Sequence, residues 1–73
     1  MSPSAARRAI QTIRSGLRIL QSHPELGHTL EGLPANTRDW IIEFGNSAYV
    51  VRYRIESAKV VIAAVRHGRE LQD

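Results

Sequence analysis

Ala6, Ile10, Ile13, Leu17 and Leu20 recur at intervals of four and three residues, a spacing that lines them along one side of an α-helix. Ala9 and Gly16 add small residues beside that stripe. Ser2 supplies a capping hydroxyl ahead of Pro3, with Ser4 as an alternative cap, and His23-Pro24 with Gly27 ends the pattern. A helix is therefore predicted over about residues 3–22. The opposite side carries Arg7, Gln11, Arg14, Arg18 and Gln21, and no acid precedes Glu25. Such a stripe is either a solvated face or a contact for phosphate or an acidic peptide.

Beyond a loop at residues 27–37, held irregular by Gly32, Pro34 and Asn36, the period changes from helical to two. Trp40, Ile42 and Phe44 alternate with polar or outward positions, and so do Tyr49, Val51, Tyr53 and Ile55. Residues 60–65 are an unbroken apolar run, as expected of a central strand covered on both faces. Gly45-Asn46-Ser47 and Glu56-Ser57-Ala58-Lys59 are short enough to make sequential strands antiparallel neighbours. Strands are predicted over about 38–44, 48–55 and 59–67. The expected fold is α+β, one N-terminal helix packed on a three-stranded antiparallel β-meander, with residues 1–73 forming a single domain. The helix stripe is expected to cover the Trp40, Ile42, Phe44 side of the sheet, which also carries Tyr49, Val51, Tyr53 and Ile55.

Composition narrows the chemistry. The chain has 73 residues and no cysteine, so disulfide staples and thiolate metal sites are excluded and a cytoplasmic setting is the default. No apolar run approaches the roughly 20 residues of a membrane span. Ten Lys and Arg stand against seven Asp and Glu, and nine of the ten cations are arginine. Arg52 and Arg54 share a strand face, with Arg66 and Arg69 near the end of the next strand, so these four and His67 are the candidate binding patch. The alternative is that the arginines pair with Glu43, Glu56 or Glu70. His23, His28 and His67 lack the spacing of a metal site, and no nucleophile–base pair stands out, so neither cofactor nor catalytic residue is expected.

Ala5-Ala6-Arg7-Arg8, His23-Pro24-Glu25-Leu26-Gly27, Tyr49 to Tyr53 and His67-Gly68-Arg69, in that order and spacing, resemble the RelE/ParE superfamily of bacterial toxins, plasmid-stabilisation proteins encoded beside an antitoxin. Full-length members begin with a β-strand and a helix that forms a hairpin with the next. This chain starts where the second helix would start, which leaves apolar surface open. Ala6, Ile10, Ile13, Leu17 and Leu20 are thus candidate contacts for an antitoxin, or for a homodimer formed through the helix stripe or a sheet edge.

The resemblance implies one of two activities. RelE-like members are ribosome-dependent mRNA nucleases using basic side chains on the open sheet face and a tyrosine past the last strand; the matching positions here are Ile41, Glu43, Val50 and Glu70, and no tyrosine follows His67. ParE-like members, better matched by His67-Gly68-Arg69, are not enzymes and poison DNA gyrase by binding. The expectation is accordingly a ParE-like, gyrase-directed toxin neutralised by a cognate antitoxin, without direct nucleic-acid binding. A RelE-like ribonuclease is the alternative, and an inactive remnant or antitoxin decoy is the other.

Overall fold

The computed structural model describes residues 2–68, which form one helix and a four-stranded antiparallel sheet. Helix α1 spans Pro3–Ser22 and a single 3-10 turn follows at Pro24–Leu26. Strands β1 (His28–Thr29), β2 (Thr37–Phe44), β3 (Ser47–Glu56) and β4 (Lys59–His67) lie in the order of the chain. The expected α+β class and the antiparallel meander are observed, with one further strand. β1 has only two residues, too few for any periodicity, and pairs His28 with Asp39 and Thr29 with Arg38.

Local chemistry sets the ends of these elements. The Ser2 hydroxyl accepts a hydrogen bond from the Ala5 N–H at 3.2 Å, and Pro3 occupies the first turn, where its missing donor is harmless. Phe44 faces Ser47 across a two-residue turn in which Gly45 takes φ +58°, the left-handed region that glycine enters freely. Glu56 faces Lys59 across the second turn, where Ser57 and Ala58 both take positive φ, 49° and 64°.

The core lies between α1 and one face of the sheet. Leu20, Ile42, Val51 and Tyr53 are its buried centre, and Leu17, Trp40, Ile55 and Val60 pack around them. The helix turns Ala9, Gly16 and Leu20 inward, so its buried line runs beside the predicted stripe rather than along it. Ile10 is left 52 % exposed on the flank. Leu20, proposed from sequence as a contact residue, is wholly buried in the chain's own core.

β4 corrects the sequence reading. It is an edge strand, not a central one, and Ile62 and Val65 are 40 % and 41 % exposed. Its unbroken apolar run has another cause. Arg52 pairs with Ala64 but the next residue, Tyr53, pairs with Ile62, so Ala63 is an extra residue that shifts the alternation by one. Val60 and Ile62 face the helix side before the bulge, and Val65 does so after it, so both phases of the alternation must be apolar.

Candidate functional site

The face of the sheet away from α1 carries the predicted arginine patch. Directly paired residues of an antiparallel sheet project to the same side, so Asp39, Arg52 and Ala64 form one row across β2, β3 and β4. Thr37, Arg54 and Val61 form another, and Ile41, Val50 and Arg66 a third. Arg52, Arg54 and Arg66 therefore do share a face.

Two of the three are already engaged. Arg52 grips Asp39 with both arms of its fork, Nε to Oδ1 at 2.9 Å and Nη2 to Oδ2 at 3.1 Å. Asp39 is only 6 % exposed, and the carboxylate raises the Arg52 guanidinium above its ordinary pKa through the hydrogen bond first and its charge second. Arg54 donates from Nε to Glu56 Oε2 at 2.7 Å. Arg66 makes no ion pair among the described residues. Between the arginines lie Ile41, 49 % exposed, and Val50, which is buried.

His67 is elsewhere. It pairs with Tyr49 on the helix side, its ring edge-on to the tyrosine with centroids 5.3 Å apart. Gly68 follows, buried so closely on the neighbouring strand that a Cβ would stand 2.6 Å from the Ala48 carbonyl oxygen. Arg69, the last of the predicted patch, and Glu70 lie outside the described residues.

Sequence reasoning overlooked Asp39. The signal was countable, because a two-residue turn at Gly45-Asn46 fixes Phe44 opposite Ser47 and hence Asp39 opposite Arg52. It also left unexplained why the loop after α1 reads Pro-Glu-Leu-Gly. The Tyr53 hydroxyl donates to the Pro24 carbonyl and accepts from the Gly27 N–H at 2.9 Å, so a fully buried β3 side chain organises the loop. Arg38 holds the same loop from β2, donating from Nη1 to the carbonyls of Gly27 at 2.6 Å and Glu25 at 3.2 Å.

A concave surface lies on the other side of the helix. Beyond its two-residue pairing with β1, β2 has no outer partner over Trp40–Phe44 among the described residues. A groove of about 540 Å³ runs there between that edge and the α1 side chains Arg8, Gln11 and Ile19.

A helix over a meandering sheet, with its loop pinned by an internal tyrosine and an arginine-bearing open face, defines a small α+β domain. Residues 1–72 match the family described as ParE toxin of type II toxin-antitoxin system, parDE. The chain belongs to this family, within the RelE/ParE superfamily. It is similar to Toxin RelE3 of Caulobacter vibrioides, 41 % identical over 94 % of this chain and 72 % of the relative. It is also similar to Toxin RelE1 of the same organism, 35 % identical over 93 % of this chain and 70 % of the relative. No solved structure matches with significance.

Proposed function

We propose that this toxin acts in the cytoplasm by binding DNA gyrase rather than by cutting RNA. The observation that carries this reading is the state of the open sheet face. Ile41, Glu43 and Val50, where the resemblance puts a ribonuclease's cations, are apolar or acidic, and Arg52 and Arg54 are tied to carboxylates. Phosphodiester cleavage needs groups free to move protons and to stabilise the developing negative charge. A face whose charges are paired is better suited to recognition. Arg66, on the same face as Arg52 and Arg54, is the contact we assign to the target.

A cognate antitoxin is the second partner. The apolar seam between Ile10 of α1 and Ile62 and Val65 of β4 supports docking of its amphipathic segment, together with the partly buried Ala6, Ile13 and Leu17 on the same flank. Without antitoxin, the same seam joins two copies of the chain.

The deciding experiment is a pair of assays on the purified protein. DNA supercoiling by gyrase should fall in its presence, and Arg66→Ala should relieve the inhibition. In a translating extract, primer extension should show intact mRNA. Site-specific mRNA cleavage with unaffected gyrase would establish instead the ribonuclease reading, which the names of the two relatives favour.

A further inference from the structure

We propose that the outward face of α1 is a docking surface for the phosphate backbone of a nucleic acid. It is separate from the open sheet face, and its validity does not depend on which target the toxin has. The sequence alone did not favour this partner, because a basic stripe is usually solvated and the resemblance to gyrase-directed toxins implies no such contact. The structure adds three observations.

First, the stripe stays free. Arg7, Arg8, Arg14 and Arg18 are all exposed, and none forms an ion pair or side-chain hydrogen bond among the described residues. The contrast with Arg52 and Arg54 is sharp, since both sheet arginines have found acids. α1 contains no acid at all, and its first turn lacks the Asp or Glu that would favour the helix dipole. Arg14 and Arg18, four apart, repel one another by a few tenths of a kcal/mol in an isolated helix. Helix stability is not what this arrangement serves.

Second, the geometry suits a continuous line of anions. With Ala9, Gly16 and Leu20 facing the sheet, the rotation of about 100° per residue puts Arg7, Arg14 and Arg18 directly opposite, within an arc of about 40°. They extend about 16 Å along the axis. That is roughly the axial length of five nucleotides in one strand of a duplex.

Third, the chemistry of that arc separates nucleic acid from an acidic protein. Arg7, Arg14 and Arg18 fill it, flanked within about 40° of its centre by Gln11 and Gln21, all exposed; Ser4 and Ser22 border it on one side and Pro3 and Ile10 on the other. A protein partner draws its binding energy from buried apolar and aromatic anchors, which this arc does not offer. Phosphate contacts need only cations and hydroxyl or carboxamide donors, and those are what it holds. Contact of this kind carries no base specificity.

The test is fluorescence anisotropy of the whole chain with a labelled DNA duplex and a labelled single-stranded RNA across a salt series. Three phosphate contacts predict a slope of log affinity against log salt of about −2.7 on the duplex, a loss of about 40-fold between roughly 50 and 200 mM salt. The combined variant Arg7→Gln, Arg14→Gln, Arg18→Gln keeps good helix formers at exposed positions and should retain its circular dichroism. Its slope should fall close to zero and its affinity at low salt by at least about tenfold. The proposal is overturned if the native chain shows no salt-dependent binding, or if the folded variant binds as well as the native chain. It is equally overturned if a polyglutamate peptide of matched charge displaces the duplex at comparable concentration, which would make the face a docking site for acidic protein.

Discussion

The Tyr53 hydroxyl of β3 accepts a hydrogen bond from the Gly27 N–H at 2.9 Å, across 26 residues of chain. This bond and its companion to the Pro24 carbonyl seat the end of α1 on the sheet. Tyr53→Phe keeps the ring in place and removes both bonds, stranding an amide and a carbonyl. The expected loss is about 1–3 kcal/mol, the range for unsatisfied buried polar groups, measured as a lower urea midpoint with an unchanged slope. A variant as stable as the native chain would mean that water satisfies both groups.

Gly27 is needed for the same junction. A Cβ there would lie 2.6 Å from the Tyr53 hydroxyl and 2.9 Å from the Asp39 carbonyl oxygen, and the latter is backbone that cannot swing away. Gly27→Ala should therefore destabilise by about 1–3 kcal/mol through overpacking. Thermal unfolding reads this directly. Combining it with Tyr53→Phe should cost less than the two separate losses together, because the phenyl ring vacates part of the contested space.

Asp39→Asn tests the open face. The change weakens the two-armed hold on Arg52, and since Arg52 is about a third exposed, solvent screening should keep the stability loss small. The functional consequence should be larger than the structural one. A freed guanidinium alters the target-binding face, so gyrase inhibition should change while the unfolding midpoint barely moves. Equal changes in both would reduce Asp39 to a structural role. Because Asp39 raises the Arg52 pKa, the stabilisation linked to Arg52 protonation is complete below the ordinary arginine value and is lost only as pH rises through the raised one. Titration of Arg52 thus gives the pair no pH sensitivity under neutral conditions.

The β3–β4 turn leaves stability unused. Ser57 and Ala58 hold positive φ without being glycine, a conformation that disfavours an L side chain by about 1–2 kcal/mol per residue. Ser57→Asn with Ala58→Gly installs the residue pair such turns prefer. The double variant should gain about 1 kcal/mol, seen as a rise of several degrees in melting temperature. No rise would mean that the exposed turn is already mobile enough to relieve the strain.

Ile62→Lys with Val65→Lys tests the seam between α1 and β4. Both positions are two-fifths exposed, so the fold should survive while self-association is lost. Sedimentation velocity should show the native chain as a dimer at high concentration and the variant as a monomer. A native chain that remains monomeric removes the homodimer and leaves the seam to the antitoxin alone.

Much of the fold was legible because its signals are local. The four-and-three spacing from Ala6 to Leu20 and the alternation through Trp40, Ile42 and Phe44 each report one buried face of one element. What was misread depends on neighbours that local pattern does not specify. The run from Val60 to Val65 looked doubly covered, yet Ala63 is a bulge at a sheet edge. The arginine patch was legible as a set of positions, but His67 belongs to the opposite face and Asp39 was missed as the partner of Arg52.

Sequence by itself determined the helix, the antiparallel meander and membership of a toxin superfamily, since periodicity and motif order are properties of the chain. Only the tertiary structure decided which charges are spent and which are free. Ion pairing depends on strand register and facing distances, which joined Arg52 to Asp39 and left the arginines of α1 without an ion pair among the described residues.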